Sequence, residues 1–321
     1  MRYRRLGRSG LQVSEIALGS WLTYDSPEKA AEVEQVIHTA YEQGINYFDT
    51  ANMYAMGAAE QLMGNALKQY PRDTYVLGTK VYFDMGDKPN QKGLSRKHIM
   101  EQCEASLKRL GTDYIDIYYC HRYDDNTPLD ETLRAMDDLV RQGKVLYIGV
   151  SEWQAGQMKD AVALADKKNF DQIVVNQPEY NMFTRNIEQA VIPASEQHGL
   201  SQVVFSPLAH GVLSGKYRKG EAPPAGSRAV NPEHNHWIKS QGLLSDKRLD
   251  QVEQLRDIAE QLDITMVQLA LAWNLRLPNI ASCIIGATRS EQVLQNVAAV
   301  HIDLSEDVVQ AIESILRDDI A

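Results

Sequence analysis

The sequence predicts an α/β chain closed into a (β/α)8 TIM barrel, with an N-terminal β-hairpin before the first barrel strand and a long loop before strand eight. Helix-like segments repeatedly end in glycine and run at once into a short apolar strand, as in YEQGINYFD, RQGKVLYIGVS and EQHGLSQVVFS. That order is the syntax of a βα unit. Eight such runs start roughly 25 to 40 residues apart, except for a long last interval, which suits parallel strands joined by helices. The rival doubly wound sheet wants GxGxxG after its first strand, where this chain reads ALGSWLTYDSP.

Residues 3–6 and 11–13 flank GRSG and predict a hairpin that caps the barrel bottom. Barrel strands are expected at 16–18, 47–49, 75–80, 115–120, 148–151, 173–176, 202–205 and 282–285. In the first helix Ser26 and Pro27 suit N-cap and N1, and Val33, Val36, Ile37, Ala40 and Tyr41 recur at helical spacing before Gly44. Thr127 and Pro128 open a second such helix, with Leu129, Leu133, Met136 and Val140 on one stripe before Gly143. The long interval holds GKYRKGEAPPAGSRAVNPEHNHW, a functional or disordered loop by its length, then helices around 249–262 and 267–275. A single domain over 1–321 accounts for all of it.

Of 321 residues, 44% are hydrophobic and 24% charged, the balance of a folded chain with a substantial core. The formal net charge of −10 repels nucleic acid and anionic membrane surfaces, so an anionic ligand needs a local basic cluster. Cys103, Cys120 and Cys283 fit neither a disulfide framework nor a zinc pattern. MRYRRLGRSG has no apolar core behind it, and no run of eighteen apolar residues occurs. A reducing cytoplasm, without membrane insertion, is the expected home.

Asp49, Lys80 and His121 close strands two, three and four, and Tyr54 follows Asp49 by five residues in DTANMY. Barrel enzymes build their sites at these C-terminal strand ends. Taken singly, each has an ordinary reading: a turn aspartate, a solvated lysine, a structural histidine, a packing tyrosine. Together at adjacent strand ends they equip a carbonyl reduction. An ammonium beside a tyrosine stabilises phenolate and eases proton release, a carboxylate keeps that lysine charged, and a histidine orients the carbonyl or relays a proton. Phosphates in such barrels sit on the loops after strands seven and eight, here SPLAHGVLSGKY and GATRSEQVLQN. Lys216, Arg228 and Arg289 supply local positive charge, and Gly211, Gly215 and Gly286 allow close backbone approach. The His234 and His236 pair lacks a third ligand at suitable spacing, so no metal site is expected. Cys120 faces away from His121 by strand alternation, which argues against a nucleophilic Cys/His pair.

FDTANMY, GTKVY and YYCHR, in this order, resemble the aldo-keto reductase family and its Asp, Tyr, Lys, His tetrad. The resemblance implies a (β/α)8 barrel in which NADPH reduces a small-molecule aldehyde or ketone. It makes Tyr54 the general acid, Lys80 its tuner, Asp49 the lysine partner and His121 the carbonyl orienter. YRRLGRSGLQVSEIALGSW and FSPLAHGVLSGKY are similar to the branch containing voltage-gated potassium channel β-subunits and their bacterial reductase relatives, where homo-oligomers occur. By the same resemblance Gly19, Ser20, Trp21 and Asp49 border the nicotinamide ribose, Ser151 and Gln177 hold the carboxamide, and Phe205 stacks on the ring. Ser206, Leu208 and Lys216 then touch the pyrophosphate. Arg228, Thr288, Arg289, Gln292 and Asn296 surround the adenosine and 2′-phosphate of NADP+. Two positions depart from the pattern: Glu152 stands where Asn or Arg is common, and Phe205 where Tyr or Trp is. Trp21, Tyr54, Phe83, Trp153 and Trp237 are candidates for an aromatic-lined pocket. Two other functions fit the residues: a regulatory NADPH-binding subunit with slow turnover, and a lyase or isomerase with Lys80 as Schiff base.

Overall fold

A computed structural model describes residues 1–24 and 26–317; Asp25 and the end of the expected domain, 318–321, lie outside the described residues. Ten strands are described: β1 (Tyr3–Arg5), β2 (Gln12–Ser14), β3 (Ile16–Gly19), β4 (Tyr47–Asp49), β5 (Val76–Val81), β6 (Ile115–Cys120), β7 (Val145–Ser151), β8 (Ile173–Gln177), β9 (Ser201–Val204) and β10 (Ile280–Ile285). β1 and β2 form the expected antiparallel hairpin. The other eight close into a parallel barrel in the order β10-β3-β4-β5-β6-β7-β8-β9. Helices follow the strands and most bury one stripe against the outside of the sheet, as the 3.6-residue periodicity requires, while Met266–Leu275 is buried nearly all round.

Local differences from the expected boundaries have simple causes. The first helix opens after Ser26 with a 3-10 turn at Pro27–Lys29, and its α-helical part runs Ala30–Glu42. Ser26 contributes its carbonyl, which accepts the Lys29 N–H at 3.2 Å and closes the tight turn. β9 stops at Val204 because Ser206 turns into the left-handed region at φ 51°, leaving Phe205 in an isolated bridge with Glu179. The long interval contains one short helix, His236–Ser240, before the expected pair at Asp246–Gln261 and Met266–Leu275.

Strand alternation sends Cys120 outward into the layer beneath the helices and Tyr119 inward. Inside the barrel two glycines make room for two tyrosine rings. A Cβ on Gly149 would lie 2.5 Å from Tyr119 carbons, and one on Gly78 would lie 3.0 Å from the Tyr47 hydroxyl. The Tyr47 and Tyr119 hydroxyls then hydrogen-bond at 2.8 Å across the interior. These rings form the floor on which the C-terminal mouth stands.

The hairpin closes the opposite end. Leu6 and Val13 are fully buried among Ala17, Val76, Ile117, Val175, Val203 and Ala281. Arg4 ties the hairpin down by donating to the carbonyls of Leu275, Leu277 and Ile280 at 2.7 to 2.9 Å while its Nε meets Glu15 at 2.6 Å. Gly7 sits at φ 56° with the carbonyl oxygens of Val174 and Gly199 both 2.5 Å from where a Cβ would stand. Gly7→Ala should therefore destabilise the protein by about 1–3 kcal/mol through overpacking against backbone. Urea unfolding of the two proteins measures this, and an unchanged midpoint would mean that the hairpin is not seated this closely.

Candidate active site

Register in the parallel barrel brings the predicted residues to one mouth. Asp49 is the last residue of β4 and pairs with Gly78 of β5; two residues on, Lys80 points the same way. The Lys80 ammonium is fully buried and donates to Asp49 Oδ2 at 2.5 Å and to the Thr50 carbonyl at 2.7 Å. It reaches the Tyr54 hydroxyl at 3.4 Å, a long contact, with Nζ 5.0 Å from the ring centroid. The other Asp49 oxygen accepts Gln177 Nε2 at 2.9 Å and the Tyr47 hydroxyl at 3.3 Å. Both carboxylate oxygens thus hold partners, and the ion pair is fixed from β4, β5 and β8 together.

Tyr54 is carried by a loop stitched to β5: Thr50 N–H donates to Gly78 O at 2.9 Å and Asn52 N–H to Lys80 O at 3.2 Å. Directly after Tyr54 the chain passes through positive φ at Ala55, Met56 and Gly57, so the turn that aims the phenol is strained. His121 follows β6, buried, with its ring 5.8 Å from that of Tyr54 and 4.9 Å from that of Phe83, both edge-on. Its Nδ1 is buried without a partner in the described residues, a polar atom that suits a ligand.

Burial adds to the expected electrostatics. Burial raises the Tyr54 pKa above its ordinary value; Lys80 pulls it down but does not win. For Lys80, burial lowers the pKa, yet Asp49 and Tyr54 together outweigh it and leave the ammonium more firmly protonated than usual. His121 is held well below the ordinary imidazole range by burial first, then by Lys80 and Arg122, so it is neutral. The site therefore presents a phenol that keeps its proton, a permanent ammonium and a neutral imidazole.

The cofactor candidates line the same mouth. Gly19 ends β3, and Ser20 is buried, its N–H on the Asp49 carbonyl at 3.0 Å and its hydroxyl on Thr50 Oγ1 at 2.9 Å. Ser151 ends β7 and donates to the Gln177 carbonyl at 2.8 Å, so these two predicted neighbours are bonded to each other. Phe205 is half-buried beyond β9. The loop after it, with Ser206, Leu208 and Gly211, turns through positive φ at Ser206, Ala209, His210 and Gly211, and Asn181 Nδ2 donates to the Ser206 carbonyl at 3.1 Å. Lys216 Nζ would be 3.1 Å from a Cβ at Gly211, so its ammonium lies over bare backbone. A Cβ at Gly286 would meet nothing nearer than Thr23 at 3.7 Å, which leaves that backbone open. Gln292 Oε1 accepts the N–H groups of Thr288 and Arg289 at 2.7 and 3.3 Å, shaping the turn into the helix Ser290–Val297, on which Asn296 is buried.

Among the described residues Lys216, Arg228 and Arg289 have no carboxylate within 4.0 Å. In a chain of net charge −10, three unpaired cations on the two loops after β9 and β10 fit a phosphate-bearing dinucleotide. Sequence reasoning missed His210, which is buried at the centre of this wall. Its Nδ1 is 3.1 Å from Arg228 Nη1, its Nε2 is 3.3 Å from Glu179 Oε1, and its ring stacks on Trp237 at 6.3 Å. Arg228 also lies over Trp21, 5.6 Å from a ring centroid. The signal was present in PLAHG, whose glycine drew attention that its neighbour did not. Of the proposed aromatic lining, Trp153 instead is buried against Tyr123 in the outer core.

Comparison with known proteins agrees with this geometry. The model for the aldo/keto reductase family matches residues 15–317. An Arabidopsis thaliana protein named "Probable voltage-gated potassium channel subunit beta" is 41% identical over 99% of this chain and 97% of its own length. A protein of the same name from Oryza sativa subsp. japonica is 40% identical over 99% and 97%. One from Schizosaccharomyces pombe, also named for that subunit, is 43% identical over 98% and 93%.

The neutral, buried imidazole gives a pH test with a fixed sign. A histidine whose folded pKa lies below its unfolded value contributes stability that is present above about pH 6.5 and is lost as pH falls toward the folded value. His98, lowered chiefly by burial, acts in the same direction. Stability should fall from pH 7 to pH 5 by up to roughly 1.4 kcal/mol per pH unit for each such group, and His121→Asn should make the slope shallower. Chemical unfolding at several pH values measures it; identical slopes in both proteins would remove His121 from this role.

Proposed function

The chain belongs to the aldo/keto reductase family, which supports oxidoreductase chemistry, and from that premise we propose that it reduces aldehydes or ketones with NADPH in the cytoplasm. The observation that carries the reading is the chain of contacts Asp49–Lys80–Tyr54 at the C-terminal mouth of a closed barrel, beside a neutral His121. The dinucleotide supplies the hydride when bound. Gly19, Ser20, Trp21, Ser151, Gln177 and Phe205 would hold its nicotinamide end, Ser206, Leu208, Gly211 and Lys216 its pyrophosphate. Arg228, Gly286, Thr288, Arg289, Gln292 and Asn296 would surround its phosphorylated adenosine.

The substrate oxygen sits between Tyr54 and His121. As the carbonyl carbon receives hydride, charge builds on that oxygen, and the Tyr54 proton moves onto it to complete the alcohol. A raised phenol pKa keeps the proton in place until then. The adjoining ammonium stabilises the phenolate that remains, and Asp49 holds the ammonium where it is. The same contacts argue against Lys80 as a Schiff-base nucleophile. Its three donors are committed to Asp49, Thr50 and Tyr54, and its raised pKa is the opposite of what a nucleophilic amine needs.

A second reading rests on the names of the relatives. A regulatory subunit that binds NADPH and turns it over slowly, in a homo-oligomer or with a channel, would use the same site. Tight NADPH binding with negligible turnover across an aldehyde panel would favour it.

Tyr54→Phe should lose at least about a hundredfold in turnover while binding NADPH as before, since only the proton is removed. NADPH oxidation at 340 nm with a fluorescence titration reads both, and near-wild-type turnover would release Tyr54 from the role. Arg289→Ala should weaken NADPH by about tenfold or more and leave NADH little changed. Equal weakening of the two would remove the 2′-phosphate assignment.

A further inference from the structure

We propose that Arg122 is a specificity-determining residue that receives an anionic group, carboxylate or phosphate, on the carbonyl substrate. The inference rests on the reductase reading above and extends it to a substrate class.

Arg122 directly follows His121 at the end of β6 and is half-buried at the mouth. Its guanidinium makes one side-chain hydrogen bond, Nη1 to the carbonyl of His121 at 2.6 Å, and lies 5.5 Å from the Phe83 ring centroid. Phe83 in turn packs edge-on to His121, and His121 to Tyr54. The cation is thus pinned beside the two groups that would hold the reacting oxygen, with most of its five N–H donors unused.

Structural arginines in the same fold look different. Arg72 bonds Thr112, the Tyr75 and Tyr114 carbonyls and Asp116; Arg4 bonds Glu15 and three carbonyls. Arg122 has no carboxylate within 4.0 Å among the described residues. The nearby acids are otherwise engaged. Glu152 Oε1 accepts the Glu179 N–H at 2.6 Å, and Asp124 accepts from Leu94, Asn126 and Thr127 at 2.8 to 3.0 Å. Its field reaches Tyr54, His121 and Glu152 alike, which places it in the electrostatics of the mouth rather than of the outer surface. A guanidinium pinned through its own backbone neighbour and free on its remaining edge is preorganised for a planar or tetrahedral oxyanion.

The test compares matched carbonyl pairs in wild type and Arg122→Gln: 4-oxobutanoate against butanal for a carboxylate, and phosphoglycolaldehyde against glycolaldehyde for a phosphate. Wild type should prefer at least one anionic member, and Arg122→Gln should reduce that preference by about ten- to a hundredfold in kcat/KM, chiefly through KM. Because Arg122 also acts on Tyr54 and His121, the readout is the ratio within each pair, not absolute turnover; Arg122→Lys should restore part of it. Which pair responds tells carboxylate from phosphate. No anionic preference in wild type, or the same ratio in the variant, would overturn the proposal while leaving the reductase reading intact. If none of the aldehydes is reduced, the reductase reading fails. Calorimetric titration of the NADPH-loaded proteins with 4-oxobutanoate and phosphoglycolaldehyde then decides the Arg122 assignment alone. At least tenfold weaker binding of either in Arg122→Gln upholds it, and equal binding of both overturns it.

Discussion

Everything at the barrel mouth depends on one buried ion pair, Lys80 with Asp49. An ammonium with no exposed surface would cost several kcal/mol without a partner, and its removal from a carboxylate so placed costs about 3–5 kcal/mol. The fold meets that demand from several strands at once. Gln177 and Tyr47 complete the coordination of Asp49, and the Tyr47–Tyr119 hydrogen bond is possible because Gly78 and Gly149 carry no Cβ. A chain of small constraints across β4 to β8 thus fixes one charge, and that charge fixes the environment of Tyr54. The pair is a weak source of stability and a strong source of position.

The parts of this arrangement that follow from strand periodicity were legible in the sequence. Asp49, Lys80 and His121 each close an apolar run, and a parallel barrel gives such residues no choice but to meet at one end. The parts set by distant partners were not. Gln177 lies 128 residues from Asp49, and no local motif reports that its amide nitrogen bonds that carboxylate. The Lys80 effect on Tyr54 had the right sign, but burial, which no local motif reports, is larger. His210 escaped notice because a lone histidine in a glycine-rich loop has no periodicity to announce it, and its partners Glu179 and Arg228 come from separate loops. Ser26 and Pro27 open the helical segment, but nothing in the local motif says that its first turn is 3-10 and that the α-helical part begins only at Ala30.

Charge shows the same division between local and global. The chain as a whole is acidic, yet several cations with no carboxylate within reach stand on the C-terminal side of the barrel: Lys216 and Arg228 in the interval after β9, Arg289 after β10, and Arg122 after β6. Other basic groups are neutralised in pairs and networks, as among Arg185, Arg276, Glu188 and Glu313. Net charge therefore predicts what the outer surface repels and says little about what the mouth accepts.

Most of the backbone strain lies on the same side. Among the described non-glycine residues positive φ occurs at Leu22 after β3, Ala55 and Met56 after β4, Glu152 after β7, and Ser206, Ala209 and His210 after β9, and otherwise at Asn169 and Asp263 just past helix ends. Each such residue costs of order 1 kcal/mol or more and persists only where surrounding contacts dictate it. Here those contacts are the ones described above: Thr50 and Asn52 stitched to β5, Glu152 bonded to Gln177 and Glu179, Ser206 held by Asn181. The N-terminal end, by contrast, is closed by an ordinary hairpin whose buried leucine and valine only add to the core. A fold that gathers most of its conformational irregularity on one face has largely separated the face that binds from the face that stabilises, and the ion pair under the mouth is where the two meet.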